Sequence, residues 1–160
     1  MTASIHPAHA ELTWRCCAFD ALTLRELQYI LMARQQVFGL EQHCVYQDID
    51  GCDETSHHLA AWSPRERMPM AYARLVDPGV KYTEPSIGRV VTIAAARGTG
   101  LGRELMRRAI AEARALFPGQ GVRISAQSRL EKFYADFGFA VVGESYLEDG
   151  IPHTEMLLPR

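Results

Sequence analysis

The sequence lacks any long hydrophobic run. An unbroken stretch of about 18 or more apolar residues, the length that crosses a bilayer, does not occur. The first residues, Met1 to Pro7, also lack the basic and apolar regions of a secretory signal. We therefore expect a cytoplasmic protein with no membrane partner.

An excess of positive charge is missing as well. The 17 Lys and Arg residues are outnumbered by 19 Asp and Glu residues, so the formal net charge is −2. Because proteins that bind the phosphate backbone need a basic surplus, we expect no nucleic-acid partner. Hydrophobic residues make up 48% of the 160 residues, enough for one ordinary core. We predict an N-terminal tail over 1–12 and a single domain over 13–160.

Cysteine is scarce and forms no C-x-x-C pair. The four cysteines are Cys16, Cys17, Cys44 and Cys52. This pattern favours reduced thiols over disulfides. A metal site is the alternative, and its ligands would be His43, Cys44, Cys52, His57 and His58. Their spacing fits no zinc pattern, so we expect turn and packing roles for them and no bound metal.

What the chain does have is a strand, a glycine turn and a helix in succession. The β-branched run from Ile87 to Ile93 predicts a strand. Glycines at 98, 100 and 102 form the turn, and apolar residues from Leu101 to Leu116 recur at helical spacing. The first N–H groups of such a helix have no intrahelical partner, and its dipole puts partial positive charge there. The turn is therefore a candidate phosphate-binding site.

The glycine spacing decides between phosphate ligands. A dinucleotide fingerprint, G-x-G-x-x-G, fails because its last position falls on Arg103 or Leu105. A P-loop fails because no Gly-Lys-Ser/Thr follows the turn. The pattern that fits is Arg/Gln-x-x-Gly-x-Gly at Arg97 to Gly102. A glycine turn that merely joins the strand to the helix is the alternative.

This hexapeptide resembles the acetyl-coenzyme A motif of the GNAT (Gcn5-related) N-acetyltransferases. A second segment, Phe133 to Phe139, is similar to the Tyr-x-x-x-Gly-Phe signature on the last helix of these enzymes. Two further segments, Arg34 to Asp48 and Tyr146 to Met156, are similar to the ElaA-like subfamily. The resemblance covers nearly the whole chain from Trp14 onward.

The order of predicted elements agrees with that resemblance. Strands are predicted at 13–19, 57–62, 70–76, 87–93, 122–126, 139–143 and 153–158. Helices are predicted to begin at Thr23, Leu101 and Ser128; Thr23 to Glu26 has the form of a capping box, and Gly39 is expected to end the first helix. A polar connector over 40–56 is long for a plain loop. The family resemblance implies an α/β protein of the α+β type. Its mixed, mostly antiparallel sheet has about seven strands, is flanked by helices and contains a splayed parallel pair.

The resemblance also implies where acetyl-CoA binds. The pantetheine arm would pair with the backbone of Val90, Val91 and Thr92. Arg97 and Arg103 would add side-chain charge at the diphosphate. The diphosphate itself would lie on the backbone N–H groups of the turn, which are those of Gly98, Thr99, Gly100, Leu101, Gly102 and Arg103. Gln127 stands where many family members have an Asn that contacts the cofactor.

The chemistry implied is direct attack of a neutral amine on the thioester, with the oxyanion stabilised by a strand N–H near Val91 or Thr92. Tyr134 is the candidate general acid for the leaving thiolate, and packing of its helix against the sheet is its alternative role. No motif identifies the base that deprotonates the amine. The candidates are Glu41, Glu148, Asp149, His153 and Glu155.

The acceptor is expected to be a small-molecule or peptide amine. The acidic residues Asp48, Asp50, Asp53 and Glu54 suggest a cationic one. A non-catalytic acyl-CoA-binding or sensing module, and a nucleotide-binding regulatory domain of another fold, are the alternative functions. Exposed strands near the C-terminus make a homodimer possible. Acceptor identity does not follow from the sequence, because one fold serves many acceptors.

Overall fold

The computed structural model describes residues 9–160 and shows eight strands and three α-helices. The strands are β1 Thr13–Ala18, β2 Ser56–Trp62, β3 Ala71–Val76, β4 Ser86–Thr92, β5 Val122–Gln127, β6 Ala140–Val141, β7 Tyr146–Glu148 and β8 Ile151–Leu158. The helices are α1 Leu24–Arg34, α2 Leu101–Leu116 and α3 Glu131–Ala135. No helix within this part of the chain is long and apolar enough to cross a membrane.

All strands belong to one mixed sheet. The strand order is β1-β2-β3-β4-β5-β8-β6, and β7 pairs with β8 beside this path. Every pairing is antiparallel except that of β4 with β5. The predicted class, a mostly antiparallel sheet flanked by helices with one splayed parallel pair, is confirmed.

The two long helices cover opposite faces of the sheet. The apolar stripe of α2, which includes Leu105 and Met106, packs with Leu75 and Ile124 in the larger core cluster. On the other face, Ile30 of α1 packs with Tyr72 and Val91. The helix α1 begins with the predicted capping box, in which the Thr23 hydroxyl and the Glu26 carboxylate each accept from the other's backbone N–H.

The parallel pair is joined at a single point. Ser86 of β4 is opposite Arg123 of β5, and no other residues of the two strands pair. Beyond that point β4 also has an irregular register with β3: Gly88 is opposite Arg74, and Val91 is opposite Tyr72. One extra residue therefore lies in β4, a β-bulge, and Arg89 within it has a φ of 51°. The two strands separate where the sequence resemblance implies a cofactor.

Several boundaries differ from the predictions. The first helix does not end at Gly39 but continues as a π-helical segment, Gln35–Glu41. Strand β7 was not predicted, because three residues between turn signals give too short a pattern. Strand β8 begins at Ile151 instead of His153, so the predicted loop at 151–152 belongs to the strand. Of the predicted tail over 1–12, only 9–12 lie among the described residues, and His9 Nε2 is 2.9 Å from Thr99 Oγ1 in the glycine turn.

Candidate active site

A cavity of about 360 Å³ lies where β4 and β5 separate. We call it the reaction cavity. Its walls come from β4, β5, α3, the β7–β8 hairpin and the connector after the π-helical segment. Among the residues singled out from the sequence, the following line it: Val90, Gln127, Tyr134, Glu148, Asp149 and His153. Four separate segments, β4, β5, α3 and the β7–β8 hairpin, thus bring predicted site residues to one place.

The glycine turn beyond the end of β4 has the geometry of an anion cradle. Gly98 and Gly100 have φ values of 75° and 83°, and Gly100 is the N-cap of α2 without any side-chain cap. The N–H groups of the first turn of α2 are therefore free of side-chain acceptors. A Cβ at Gly98 or Gly100 would meet no atom within 4 Å. Glycine is needed at these two positions for backbone conformation rather than for space.

Two arginines flank this cradle, and both are paired with carboxylates. The Arg97 guanidinium binds Glu41 and donates to the Thr92 carbonyl oxygen at 3.0 Å. Arg103 lies 2.9 Å from Asp136 and packs over the Phe133 ring, with 5.4 Å to the centroid. Glu41, a predicted base candidate, thus contacts a side chain expected on the diphosphate.

Gln127 is held at both ends of its amide. Its Nε2 donates to Gln42 Oε1 at 3.0 Å, and its Oε1 accepts from Arg129 Nε at 3.0 Å. The first of these bonds joins β5 to the segment that follows the π-helical turn. The amide therefore spans the reaction cavity from one wall to the other.

Tyr134 is nearly buried, with 7% of its surface exposed, yet it lines the reaction cavity. Burial raises the pKa of its phenol to about 12, and the nearby Arg129 guanidinium offsets only part of that rise. Edge-to-face contacts with Phe133 and Phe139 fix the ring. Among the described residues none takes up its hydroxyl, so the phenol presents a protonated donor to the cavity.

The β7–β8 hairpin places a histidine and a carboxylate together. His153 Nδ1 lies 2.8 Å from the Ile151 carbonyl oxygen, and its Nε2 lies 3.4 Å from Glu148 Oε2. The ring stacks on Tyr146, whose hydroxyl binds Ser125 of β5. A carbonyl can only accept, so Nδ1 carries a hydrogen and Nε2 has the lone pair of the neutral ring. Glu148 is placed to stabilise the charged ring.

The other predicted bases lie in different settings. Glu155 is 3.0 Å from Arg123, which also binds Glu84 with two nitrogens. Asp149 lines the reaction cavity at the hairpin turn and has a positive φ of 52°. Neither has a histidine as its direct partner.

The acidic connector does not form a free negative surface. The suggestion of a cationic acceptor depended on such a surface. Three of its four carboxylates are paired with arginines in a cluster that we call the arginine–aspartate network: Arg34, Arg74, Arg89, Asp48, Asp50 and Asp53. Three positive and three negative charges balance. Only Glu54 lies outside it, so the acidic bias no longer supports a cationic acceptor.

Asp53 is the centre of this network. Its Oδ1 accepts from Arg34 Nη1 at 2.7 Å and from Arg74 Nη1 at 3.0 Å, and both arginines are almost fully buried. Burial alone would raise the pKa of the Asp53 carboxyl, but the bonds and charges of the two arginines outweigh it and hold the pKa below its usual value. Since Asp50, Arg74 and Arg89 line the reaction cavity, the network forms part of its wall.

A buried histidine supports the same network. His58 Nε2 lies 3.0 Å from the Asp53 carbonyl oxygen, and its Nδ1 lies 2.7 Å from the Tyr72 hydroxyl. Burial lowers the pKa of His58, which fits a neutral ring that donates from Nε2 and accepts at Nδ1. One feature of the sequence could have indicated the network. Arg74 lies within an otherwise apolar strand, where an arginine needs a buried partner because it is not exposed to solvent.

The cysteines and histidines near the connector do not converge. All four cysteines are free thiols. Within residues 9–160 there is no group of three or more His, Cys, Asp or Glu side chains able to hold a metal ion.

Comparisons with known proteins agree with this geometry. Residues 27–159 match the family described as acetyltransferase (GNAT) domain. The UPF0039 protein sll0451 of Synechocystis sp. is 40% identical over 147 residues, which are 92% of this chain and 95% of that protein. ElaA of Escherichia coli is 37% identical over 147 residues, which are 91% of this chain and 95% of ElaA.

Solved structures show the same relationship. The crystal structure of an acyl-CoA N-acyltransferase from Pseudomonas aeruginosa matches with a TM-score of 0.86 and 46% identity, covering 91% of this chain and 98% of that one. The crystal structure of Escherichia coli ElaA matches with a TM-score of 0.85 and 36% identity, at the same coverage. The chain therefore belongs to the GNAT family of N-acyltransferases and to its ElaA-like branch.

Proposed function

We propose that this protein transfers an acetyl group from acetyl-CoA to an amine by direct attack of the amine on the thioester. The observation that carries the proposal is the separation of β4 from β5 beyond Ser86 and Arg123, with Tyr134 on the wall of the gap and the glycine cradle at its end. Family membership supports an acyl-CoA as the ligand of this gap. The acetyl group and the roles of individual residues are the parts that we add.

The residues present suit coenzyme A. Val90, Val91 and Thr92 lie on the strand edge that β5 leaves unpaired, and their backbone groups would pair with the pantetheine arm. The N–H groups over 98–103 would hold the diphosphate. Arg97 and Arg103 would bind it as well after leaving Glu41 and Asp136, because a diphosphate offers more negative charge than one carboxylate. Gln127 would give up its bond to Gln42 to reach the cofactor.

In the reaction, a C–N bond forms as the amine attacks the thioester carbonyl and the C–S bond then breaks. A strand N–H near Val91 or Thr92 would stabilise the oxyanion between these two events. Tyr134, the candidate general acid, would donate a hydrogen bond to the departing sulfur. A thiol has an ordinary pKa of about 8.5, so a phenol with a pKa of about 12 is the weaker acid. Its contribution is a hydrogen bond that stabilises the thiolate, which takes its final proton from water. The nitrogen of the tetrahedral intermediate loses its second proton to water.

The amine must be neutral when it attacks, and we assign its proton to His153. The Ile151 carbonyl keeps hydrogen on Nδ1, so the proton from the amine arrives at Nε2. Glu148, at 3.4 Å from that nitrogen, stabilises the resulting imidazolium. Glu41 is not given this role, since its partner is Arg97 at the glycine turn. The cytoplasm is the proposed location, supported by the four free thiols.

The test is acetyl-CoA turnover with a panel of primary amines, followed by release of free thiol and by the mass of the product. We expect Tyr134→Phe to lower kcat by about 10²-fold or more, as does the loss of one hydrogen-bond donor to a developing anion, with an unchanged Kd for coenzyme A. The matched control is Tyr29→Phe, a tyrosine of α1 that does not line the reaction cavity. Equal loss in both variants, or none in Tyr134→Phe, contradicts the role of Tyr134. Coenzyme A binding without transfer to any amine indicates a sensing module instead.

A further inference from the structure

An apolar groove lies beside the reaction cavity, on the outer face of α1. It encloses about 1160 Å³ and is lined by α1, the π-helical segment and the connector residues 44–49. Four of its apolar side chains are well exposed: Val45 at 95%, Leu24 at 87%, Ile49 at 57% and Met32 at 41%. Clustered exposure of this kind is uncommon on a soluble domain unless something binds there.

The groove and the reaction cavity share a wall. Phe38, Cys44 and Tyr46 line both spaces. The Phe38 and Tyr46 rings are 6.4 Å apart, and the Cys44 N–H donates to the Phe38 carbonyl oxygen at 2.9 Å. One layer of side chains therefore separates the groove from the cavity, and a ligand in one space needs to pass only these three residues to enter the other.

The groove carries no uncompensated charge. Among residues 9–160, Arg34 and Asp48 are the only ionised residues that line it, and they bind each other, with Nε 2.9 Å from Oδ2. Its remaining lining is apolar or made of uncharged polar side chains. An uncharged, apolar group is therefore its best occupant, because a charged one would lose its hydration without gaining a partner.

The position of Cys44 joins this groove to the amine side of the cavity. Cys44 and Asp149 both line the reaction cavity. Asp149 belongs to the same hairpin as Glu148 and His153. A chain attached to an amine beside His153 would thus extend past Cys44 toward the groove.

We propose that the acceptor is a primary amine with an uncharged apolar chain, whose nitrogen lies beside His153 and whose chain passes Cys44 into the groove. This inference rests on the proposed function and names the class of substrate. The reaction cavity, at about 360 Å³, must also hold the thioester end of the cofactor. A long acceptor chain therefore needs the second space.

The experiment compares ethylamine, butylamine, hexylamine and octylamine as acceptors of the acetyl group. Each buried methylene should raise kcat/KM by about three- to fourfold, mainly through KM. Ile49→Gln and Met32→Gln should each reduce that increment and lower kcat/KM for octylamine by about tenfold. Turnover of ethylamine should stay unchanged in both. The matched control is Val141→Gln on β6, an exposed apolar residue that lines neither space.

A kcat/KM that does not depend on chain length, or a dependence that Ile49→Gln and Met32→Gln leave intact, overturns the proposal. A wild-type dimer that Ile49→Gln converts to monomer, seen by size-exclusion chromatography with light scattering, also overturns it, because a second copy would then cover the groove. If no amine is acetylated at all, the proposed function fails, and calorimetric titration of octylamine still decides about the groove. Binding that Ile49→Gln weakens supports the apolar-amine site; absence of binding refutes it.

Discussion

Removing the charge of Asp53 should destabilise the fold far more than removing a neighbouring surface charge. The Asp53 carboxylate is 5% exposed and accepts from two buried guanidinium groups, at 2.7 Å from Arg34 and 3.0 Å from Arg74. In Asp53→Asn the side chain keeps its shape and one acceptor oxygen, but the network changes from three negative charges to two. Two buried arginines are then left with one fewer counterion.

Breaking a buried ion pair from one side costs about 3–5 kcal/mol, because a charge remains in a poorly solvated place. Asn retains one acceptor, so we expect the lower end, a loss of about 3 kcal/mol in the free energy of unfolding. For a domain of this size, that corresponds to a fall in Tm of roughly 6–12 °C. The adjacent Glu54→Gln is the control, since Glu54 is exposed and outside the network, and it should change stability by less than about 0.5 kcal/mol.

The difference in the free energy of unfolding between wild type and Asp53→Asn should depend on pH, which provides a second check. The pKa of Asp53 is lower in the folded protein than in the unfolded chain, so the native state binds fewer protons there as the pH falls. The stability contributed by the carboxylate is present above the unfolded pKa of about 4 and is lost as the pH drops toward the folded value. The gap between wild type and Asp53→Asn should therefore narrow below about pH 4.

Urea unfolding followed by the fluorescence of Trp14 and Trp62 measures both effects. A loss below about 1 kcal/mol at pH 7 would contradict the assignment of Asp53 as the centre of the network, and so would a gap that stays constant down to pH 3. Because the network forms part of the reaction-cavity wall, kcat/KM for the amine should fall along with stability in Asp53→Asn but not in Glu54→Gln.

Two further predictions concern the cofactor and the base. Gly100→Ala should weaken coenzyme A binding by about tenfold, because a φ of 83° costs an alanine about 1–2 kcal/mol and the turn would relax. The control is Gly119→Ala, which has a φ of 75° and lies beyond the far end of α2. It should be equally strained and leave the Kd measured by calorimetry unchanged. His153→Gln should lower kcat by about 10²-fold at pH 7, and the defect should shrink toward pH 10, where alkylamines lose their proton without a base. A pH-independent defect, or the same profile in His57→Gln, would remove His153 from the proton transfer.

The parts of the fold that local patterns encode were predictable. The capping box at Thr23, the stripe of α2 and the glycine cradle depend on residues a few positions apart, and all three appear as expected. The three residues of β7 were missed because so short a segment has no measurable alternation. The π-helical continuation through Gly39 also has no distinct sequence pattern.

The arginine–aspartate network could not be predicted because its pairs are distant in sequence. Arg34 and Asp53 are 19 residues apart, and Arg89 and Asp50 are 39 apart. Most charged residues are exposed to solvent, so the sequence alone does not indicate a buried pair. Only the folded structure shows which carboxylate neutralises which arginine. The positive φ of Arg89 is similarly unpredictable, since local patterns assign that conformation to glycine.

The bulge in β4 compensates for one extra residue in that strand. Ile87 and Val91 are an even number of residues apart, so a regular strand would turn them to the same face. Instead Ile87 packs in the cluster under α2, and Val91 packs under α1. In a strand without Arg89 the two residues would be three positions apart, so a regular strand would still turn them to opposite faces and keep Val91 opposite Tyr72. Loss of Arg89 would therefore leave the packing of β4 intact and would remove one cation from the wall of the reaction cavity.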